Sequence, residues 1–300
     1  MTAKTSTRSR DVLGTSALRP DGVAKVTGEF SFSSDMRAEN MLWGATLRSP
    51  HPYARITSID TTKALLIAGV HAIITAEDVP GKLTYGLISS DQPVFAKDVV
   101  RYMGEPIAAV AADHPETCRR ALAAIVVEYE VMTPLVDAEL AILPTTPPIH
   151  PDGNLIRHQR IIHGDSNATA EIIVEGNYTI GMQDQAFLGL EAAMAFPDPG
   201  AQGVELHIAT QWLHEDRGQI AACLNLPENN VRLVLGGVGG AFGAREDISL
   251  QVHCCLLALR TGRPIKMQYS REESFFGHVH RHPATIWMRH HANKNGKIVK

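Results

Sequence analysis

Five glycines fall within the eight positions 236–243 (Gly236, Gly237, Gly239, Gly240 and Gly243), and Phe242 is the one bulky side chain among them. So bare a backbone lets another group approach closely, or takes angles that other residues avoid. The run follows the β-branched segment Val231–Leu235 and precedes a stretch with helical spacing, expected to begin near Glu246. Amides at such a helix start would face the loop and seat an anionic or oxo group. Plain tight turns also use glycine runs, so the loop needs partner residues before it counts as a site. Glu246 is one candidate, since its carboxyl could hydrogen-bond a ligand beside the loop; an acid in the first turn of a helix is equally explained by the helix dipole. Gln185 is another, because its amide both donates and accepts without adding charge. From composition alone it reads as a surface strand residue.

His278, His280 and His282 alternate along the chain, which on a strand would set three imidazoles on one face, with His290 and His291 following. That resembles a metal site. No carboxylate or cysteine stands nearby at ligand spacing, so a partly exposed histidine-rich strand is the favoured reading. The chain shows no convincing serine–histidine–acid order, P-loop lysine or dinucleotide fingerprint.

These residues sit in a chain of 300 residues, enough for one large domain or two ordinary ones. A hydrophobic content of 44% against 20% charged residues indicates a globular protein with an ample core. The net charge of −4, with scattered basic residues, gives no electrostatic case for nucleic acid. The longest apolar stretch, Ala64 to Ile74, is too short to span a bilayer. The leader lacks an apolar segment behind its basic residues, so the chain does not read as secreted, and a cytoplasmic location is expected. Cys118, Cys223, Cys254 and Cys255 have no CxxC spacing and read as buried thiols.

Strand and helix signals alternate, which predicts an α/β (α+β) fold. Strands are expected at Trp43–Arg48, Arg55–Asp60, His71–Thr75, Pro106–Ala112, Ile125–Tyr129, Glu171–Ile180, Val204–Thr210, Val231–Leu235, Ile265–Tyr269 and Ala284–Ala292. Helices are expected at Thr61–Ala68, from an Asp113/Glu116 capping box through Ala124, at His214–Leu224, and through the apolar positions Ile248, Val252, Cys255, Leu256 and Leu259. Pro144, Pro147, Pro148 and Pro151 mark a linker, because proline removes donors that a helix needs. The expected organisation is a disordered leader over 1–17, an α/β domain over 18–137, a proline-rich linker over 138–154 and a second α/β region over 155–300.

At the level of ordered motifs, the chain from Arg19 onward resembles the molybdenum-binding large subunit of the xanthine dehydrogenase and aldehyde oxidase family. The resemblance rests on Arg19-Pro20-Asp21-Gly22 with Lys25-Val26-Thr27-Gly28, on Leu47–Ile56, on Val100–Val110, on Gly239-Gly240-Ala241-Phe242-Gly243-Ala244-Arg245-Glu246, on Thr261–Lys266 and on Arg281-His282-Pro283. It implies an α/β hammerhead domain over 18–137, followed by the first part of a molybdopterin-binding domain over 155–300. The chain departs from the family loop at Ala241 and at Ala244-Arg245, where glycine and Gly-Lys are usual.

The resemblance also implies roles. Gln185, six residues before Glu191, would contact an oxo ligand of molybdenum; Gln183 is its competitor, and the spacing to Glu191 favours Gln185. Phe242 and Gly243 would sit against the molybdenum–molybdopterin cofactor, expected in its cytosine dinucleotide form. Glu246 would hydrogen-bond a purine such as hypoxanthine or xanthine, a preference that Asp91-Gln92-Pro93-Val94 also suggests. The 2Fe-2S and FAD groups are expected on an iron–sulfur subunit and a FAD subunit. The implied reaction hydroxylates a purine carbon with oxygen from water. The family's catalytic base lies beyond residue 300, so no catalytic residue is expected in this chain, which alone should not turn over. The alternatives are an aldehyde or N-heterocycle dehydrogenase of the same family, or a truncated chain that only docks with partner subunits.

Overall fold

The computed structural model describes residues 14, 16–200 and 202–300; most of the 1–17 leader lies outside the described residues. The central element is a seven-stranded sheet with the order Val231–Leu235, Gly203–Ile208, Ala192–Asp198, Ile265–Gln268, Leu42–Arg48, Pro106–Ala112 and Val70–Thr75. Three of these strands come from the first half of the chain and four from the second. The seam is the parallel pairing of Leu42–Arg48 with Ile265–Gln268. Pro106–Ala112 is buried at every position, as its run of small residues requires between two packed layers. Gly44 lies at the seam, where a Cβ would stand 2.6 Å from the Met267 side chain.

The core beneath the sheet is built on the helix Gln251–Thr261, in which every residue from Gln251 to Ala258 is buried. That helix therefore shows no polar face, and Cys254 and Cys255 are both buried free thiols. Burial pushes Cys118 and Cys254 up to about 12 and Cys223 up to about 11, which keeps them protonated and inert. His253, fully enclosed in the same helix, stacks on Phe95 with ring centroids 4.4 Å apart. Burial lowers its pKa to about 4, so it serves as a neutral core residue.

A three-stranded sheet of Val99–Val100, Ala54–Asp60 and Val126–Val131 flanks the first half, and Ile172–Ile180 with Ala284–Ala292 forms a separate antiparallel ribbon. Arg48 joins the halves. Its guanidinium donates to the Gly104 carbonyl and to Glu273, each at 2.9 Å, and lies over the Tyr269 ring.

Four local expectations change. The helix expected from Glu246 begins instead at Gln251, because residues 242–250 form turns. The Asp113/Glu116 capping box is replaced by His114 at the N-cap, whose Nδ1 accepts from the Glu116 amide. The Thr61–Ala68 helix shortens to Thr62–Leu65 before Gly69. The alternating histidines 278, 280 and 282 do not lie on a strand; they follow the helix Arg271–Gly277 in an irregular segment.

Candidate functional site

Register decides what meets at one end of the sheet. Leu235 pairs with Ile208, Ile208 with Ala193, and Ala192 with Gln268. The loops that adjoin these residues therefore emerge side by side: 236–250 after the Val231–Leu235 strand, 183–191 before the Ala192–Asp198 strand, and 269–283 after the Ile265–Gln268 strand. These loops hold the glycine run, Gln185 and the histidine segment.

The glycine loop is set in place by its neighbours. The Gly236 amide donates to Ile208 at 2.8 Å. At Gly237 a Cβ would stand 2.0 Å from Phe30 Cε1 and 2.9 Å from Phe32 Cδ1, so glycine is needed for the Phe30–Phe32 pair to pack there. Arg245, 6% exposed, fastens the far end of the loop. It donates to the carbonyls of Gly189, Gly240 and Ala209, and its guanidinium lies 4.7 Å from the centre of the Phe187 ring. One buried cation thus binds the glycine loop to the loop that carries Gln185. In the sequence Arg245 stands out only as a departure from the family pattern; a charged residue beside a glycine run gives no sign of burial.

A cavity of about 540 Å³ opens between these loops, lined by residues that include Asp91, Gln185, Gly243, Glu246, Asp247 and His280 to His282. Three of the four expected site residues, Gln185, Gly243 and Glu246, meet here. Phe242 does not line this cavity; its side chain is 79% exposed. The Oε1 of Gln185 is buried with no hydrogen-bond partner. Gly243 has φ +94°, and a Cβ there would meet nothing within 4 Å, so backbone conformation requires glycine while its face stays open. Two residues beside the site, Ala186 and Phe242, hold positive φ of 46° and 52°. Strained backbone of this kind persists where the surroundings fix it, and it clusters at functional sites.

Glu246 is exposed and lies five positions before the first residue of the helix. The helix-dipole explanation for an acid at this position therefore falls away. Its neighbour Asp247 accepts a 2.6 Å hydrogen bond from Gln92, which brings the Asp91-Gln92-Pro93-Val94 motif to the cavity wall. Burial raises the Asp247 carboxyl above its ordinary value. Gln183 stands apart: it is exposed and pairs through its backbone with Arg281.

A family model described as the molybdopterin cofactor-binding domain matches residues 149–300, and one described as the aldehyde oxidase and xanthine dehydrogenase a/b hammerhead domain matches residues 27–133. The chain belongs to the xanthine dehydrogenase and aldehyde oxidase family. A probable xanthine dehydrogenase subunit of Bacillus subtilis (strain 168) is 36% identical over 95% of this chain and 38% of its own length. The nicotinate dehydrogenase large molybdopterin subunit of Eubacterium barkeri is 36% identical over 96% of this chain and 68% of its own length. Among solved structures, the aldehyde oxidoreductase from Desulfovibrio gigas has a TM-score of 0.88 at 26% identity, covering 93% of this chain and 33% of that one. The chain thus spans from one third to two thirds of the length of these family members.

The fold is the family's α/β hammerhead domain with molybdopterin-binding domain, and the cavity fits the cofactor that the family implies. The buried Oε1 of Gln185 has no hydrogen-bond partner within the chain and is free to accept from an N–H donor of a bound group. The amide N–H of Gln185 is the group that could donate to an oxo ligand, and the open face of Gly243 allows a close approach. Among the described residues no helix is long and apolar enough to cross a membrane.

Proposed function

We propose that this chain is the N-terminal portion of a molybdenum hydroxylase subunit that oxidises a purine such as hypoxanthine or xanthine. The observation that carries the reading is the convergence of Gln185, Gly243 and Glu246 on one cavity from loops far apart in the chain. When bound, molybdenum–molybdopterin supplies the redox chemistry that inserts a water-derived oxygen into the substrate. The chain's own residues bind and orient. Gln185 offers an amide to the cofactor, and Gly243 presents bare backbone to it. Arg245 holds the two loops at a fixed separation. Glu246 lines the cavity, where its carboxylate would accept a hydrogen bond from a ring N–H of a purine.

The cytosine dinucleotide form of the cofactor, an iron–sulfur subunit, a FAD subunit and a cytoplasmic location belong to the same proposal. The four buried free thiols support a reducing compartment. The name of the Eubacterium relative, a large molybdopterin subunit, supports an assembly of several chains. That relative also favours a second reading, oxidation of another N-heterocycle, because its name gives nicotinate as the substrate. Both readings place a polar, nitrogen-bearing ring beside Glu246, whereas an aldehyde substrate needs no such partner.

The complete complex should be assayed with hypoxanthine, nicotinate and an aromatic aldehyde. The purine reading expects the highest kcat/KM for hypoxanthine. A higher value for nicotinate moves the assignment to the N-heterocycle reading, and a higher value for the aldehyde overturns both.

A further inference from the structure

The carboxylate that the alternating histidines lack in sequence arrives from elsewhere in the fold. The residues Gln183 and Arg281 form an antiparallel bridge, each amide donating to the other's carbonyl at 3.0 and 3.3 Å. That bridge sets Asp184 beside His278 and His280. The Oδ2 of Asp184 lies 3.2 Å from His278 Nε2 and 3.0 Å from His280 Nε2, and the two imidazoles stack with centroids 5.0 Å apart. His282 stays outside the cluster.

The other polar atoms of two of these groups are already committed. Asp184 Oδ1 accepts from the Ala186 amide at 2.6 Å. His278 Nδ1 donates to the Val279 carbonyl at 2.8 Å, which in the neutral ring leaves the lone pair on Nε2, and Phe187 packs against the ring. Such outer contacts are how proteins fix the tautomer and orientation of a metal-binding histidine. The His278 side chain is 1% exposed, yet neither its Nε2 nor Asp184 Oδ2 has a hydrogen-bond partner. Three ligand atoms therefore crowd together within 4.8 Å without being aligned on one another. Ligands around a shared ion take that arrangement. For a tetrahedral zinc ion with ligands about 2.0–2.1 Å away, neighbouring ligand atoms lie about 3.3 Å apart, close to the separations seen here.

We propose that Asp184, His278 and His280 bind a divalent cation of the zinc class, at a site on the border of the Gln185 cavity, where His280 forms part of the wall. Two imidazoles and a carboxylate suit zinc, cobalt or nickel better than calcium or magnesium, which prefer all-oxygen sets. Three protein ligands leave a fourth position for water. The ion would clasp the 182–186 loop to the 278–282 segment, both of which border the Gln185 cavity.

The test is equilibrium dialysis of the complete subunit against buffered zinc after chelator treatment, with metal counted by mass spectrometry. The wild type should retain one zinc per chain more than Asp184→Asn and one more than His280→Gln, whereas His290→Gln should match the wild type. Equal zinc content in the wild type and both site variants overturns the proposal. A second measurement needs no variant: zinc should slow amide hydrogen exchange at least tenfold in both 182–186 and 278–282, while magnesium should not. Unchanged exchange in these segments at saturating zinc overturns it equally.

Discussion

Glu105 provides a test of how the hammerhead portion is held together. Its residue is 1% exposed, and the carboxylate accepts a hydrogen bond from the Arg101 amide. Burial outweighs that bond and pushes the carboxyl from its ordinary 4.5 up to about 7. A raised carboxyl pKa means that the folded chain keeps a proton that the unfolded chain releases. The associated stability is fully present below about 4.5 and is lost as the pH rises through about 7. Over that window the loss amounts to about 3 kcal/mol, since each pKa unit is worth about 1.4 kcal/mol. Glu105→Gln removes the titration while keeping a carbonyl acceptor for Arg101. Urea unfolding of the purified chain should therefore show a stability difference, variant minus wild type, that grows by about 2–3 kcal/mol between pH 5 and pH 8. Asp216, raised to about 6 by burial, and His253, lowered to about 4, titrate in both proteins and cancel in the difference. A difference independent of pH would refute the reasoning, because it would mean that no buried charge is being relieved.

The glycine loop supports two further predictions, separable by mechanism. Gly237→Ala places a methyl group against Phe30 and should destabilise the chain by about 1–3 kcal/mol through overpacking; shortening the obstacle with Phe30→Leu should recover part of the loss in urea unfolding. Gly243→Ala meets no atom but forces an L residue into φ +94°, costing about 1–3 kcal/mol; Phe30→Leu should leave that loss unchanged.

Much of the scaffold was legible because its cause is local. Pro106–Ala112, Val231–Leu235 and Ala284–Ala292 occur with the expected limits, since short runs of β-branched or small apolar residues between turn signals have few alternatives. The central strand Ala192–Asp198 was missed because Ala-Ala-Met-Ala has low strand propensity and becomes a strand only through pairing on both sides. The helix Arg271–Gly277 was missed too, although Ser270 with Glu273 marks its start. At the site, the glycine loop, Gln185 and Glu246 were readable as types and motifs. Their meeting, the burial of Arg245 and the arrival of Asp184 at the histidines depend on sheet register, which a linear pattern does not state.

The most direct test of the central claim is the substrate preference of Glu246→Val in the complete enzyme. If Glu246 hydrogen-bonds a purine in the Gln185–Gly243 cavity, the change leaves a polar substrate atom unpaired, a penalty of roughly 1–3 kcal/mol. The kcat/KM for hypoxanthine should then fall about ten- to a hundredfold, while that for an aromatic aldehyde should change little or rise. The ratio of the two is independent of how much folded enzyme is present, and Glu246 lies outside the helix, so no loss of capping confuses the comparison. A fall in the purine-to-aldehyde ratio of tenfold or more is the predicted result; an unchanged ratio would contradict the account.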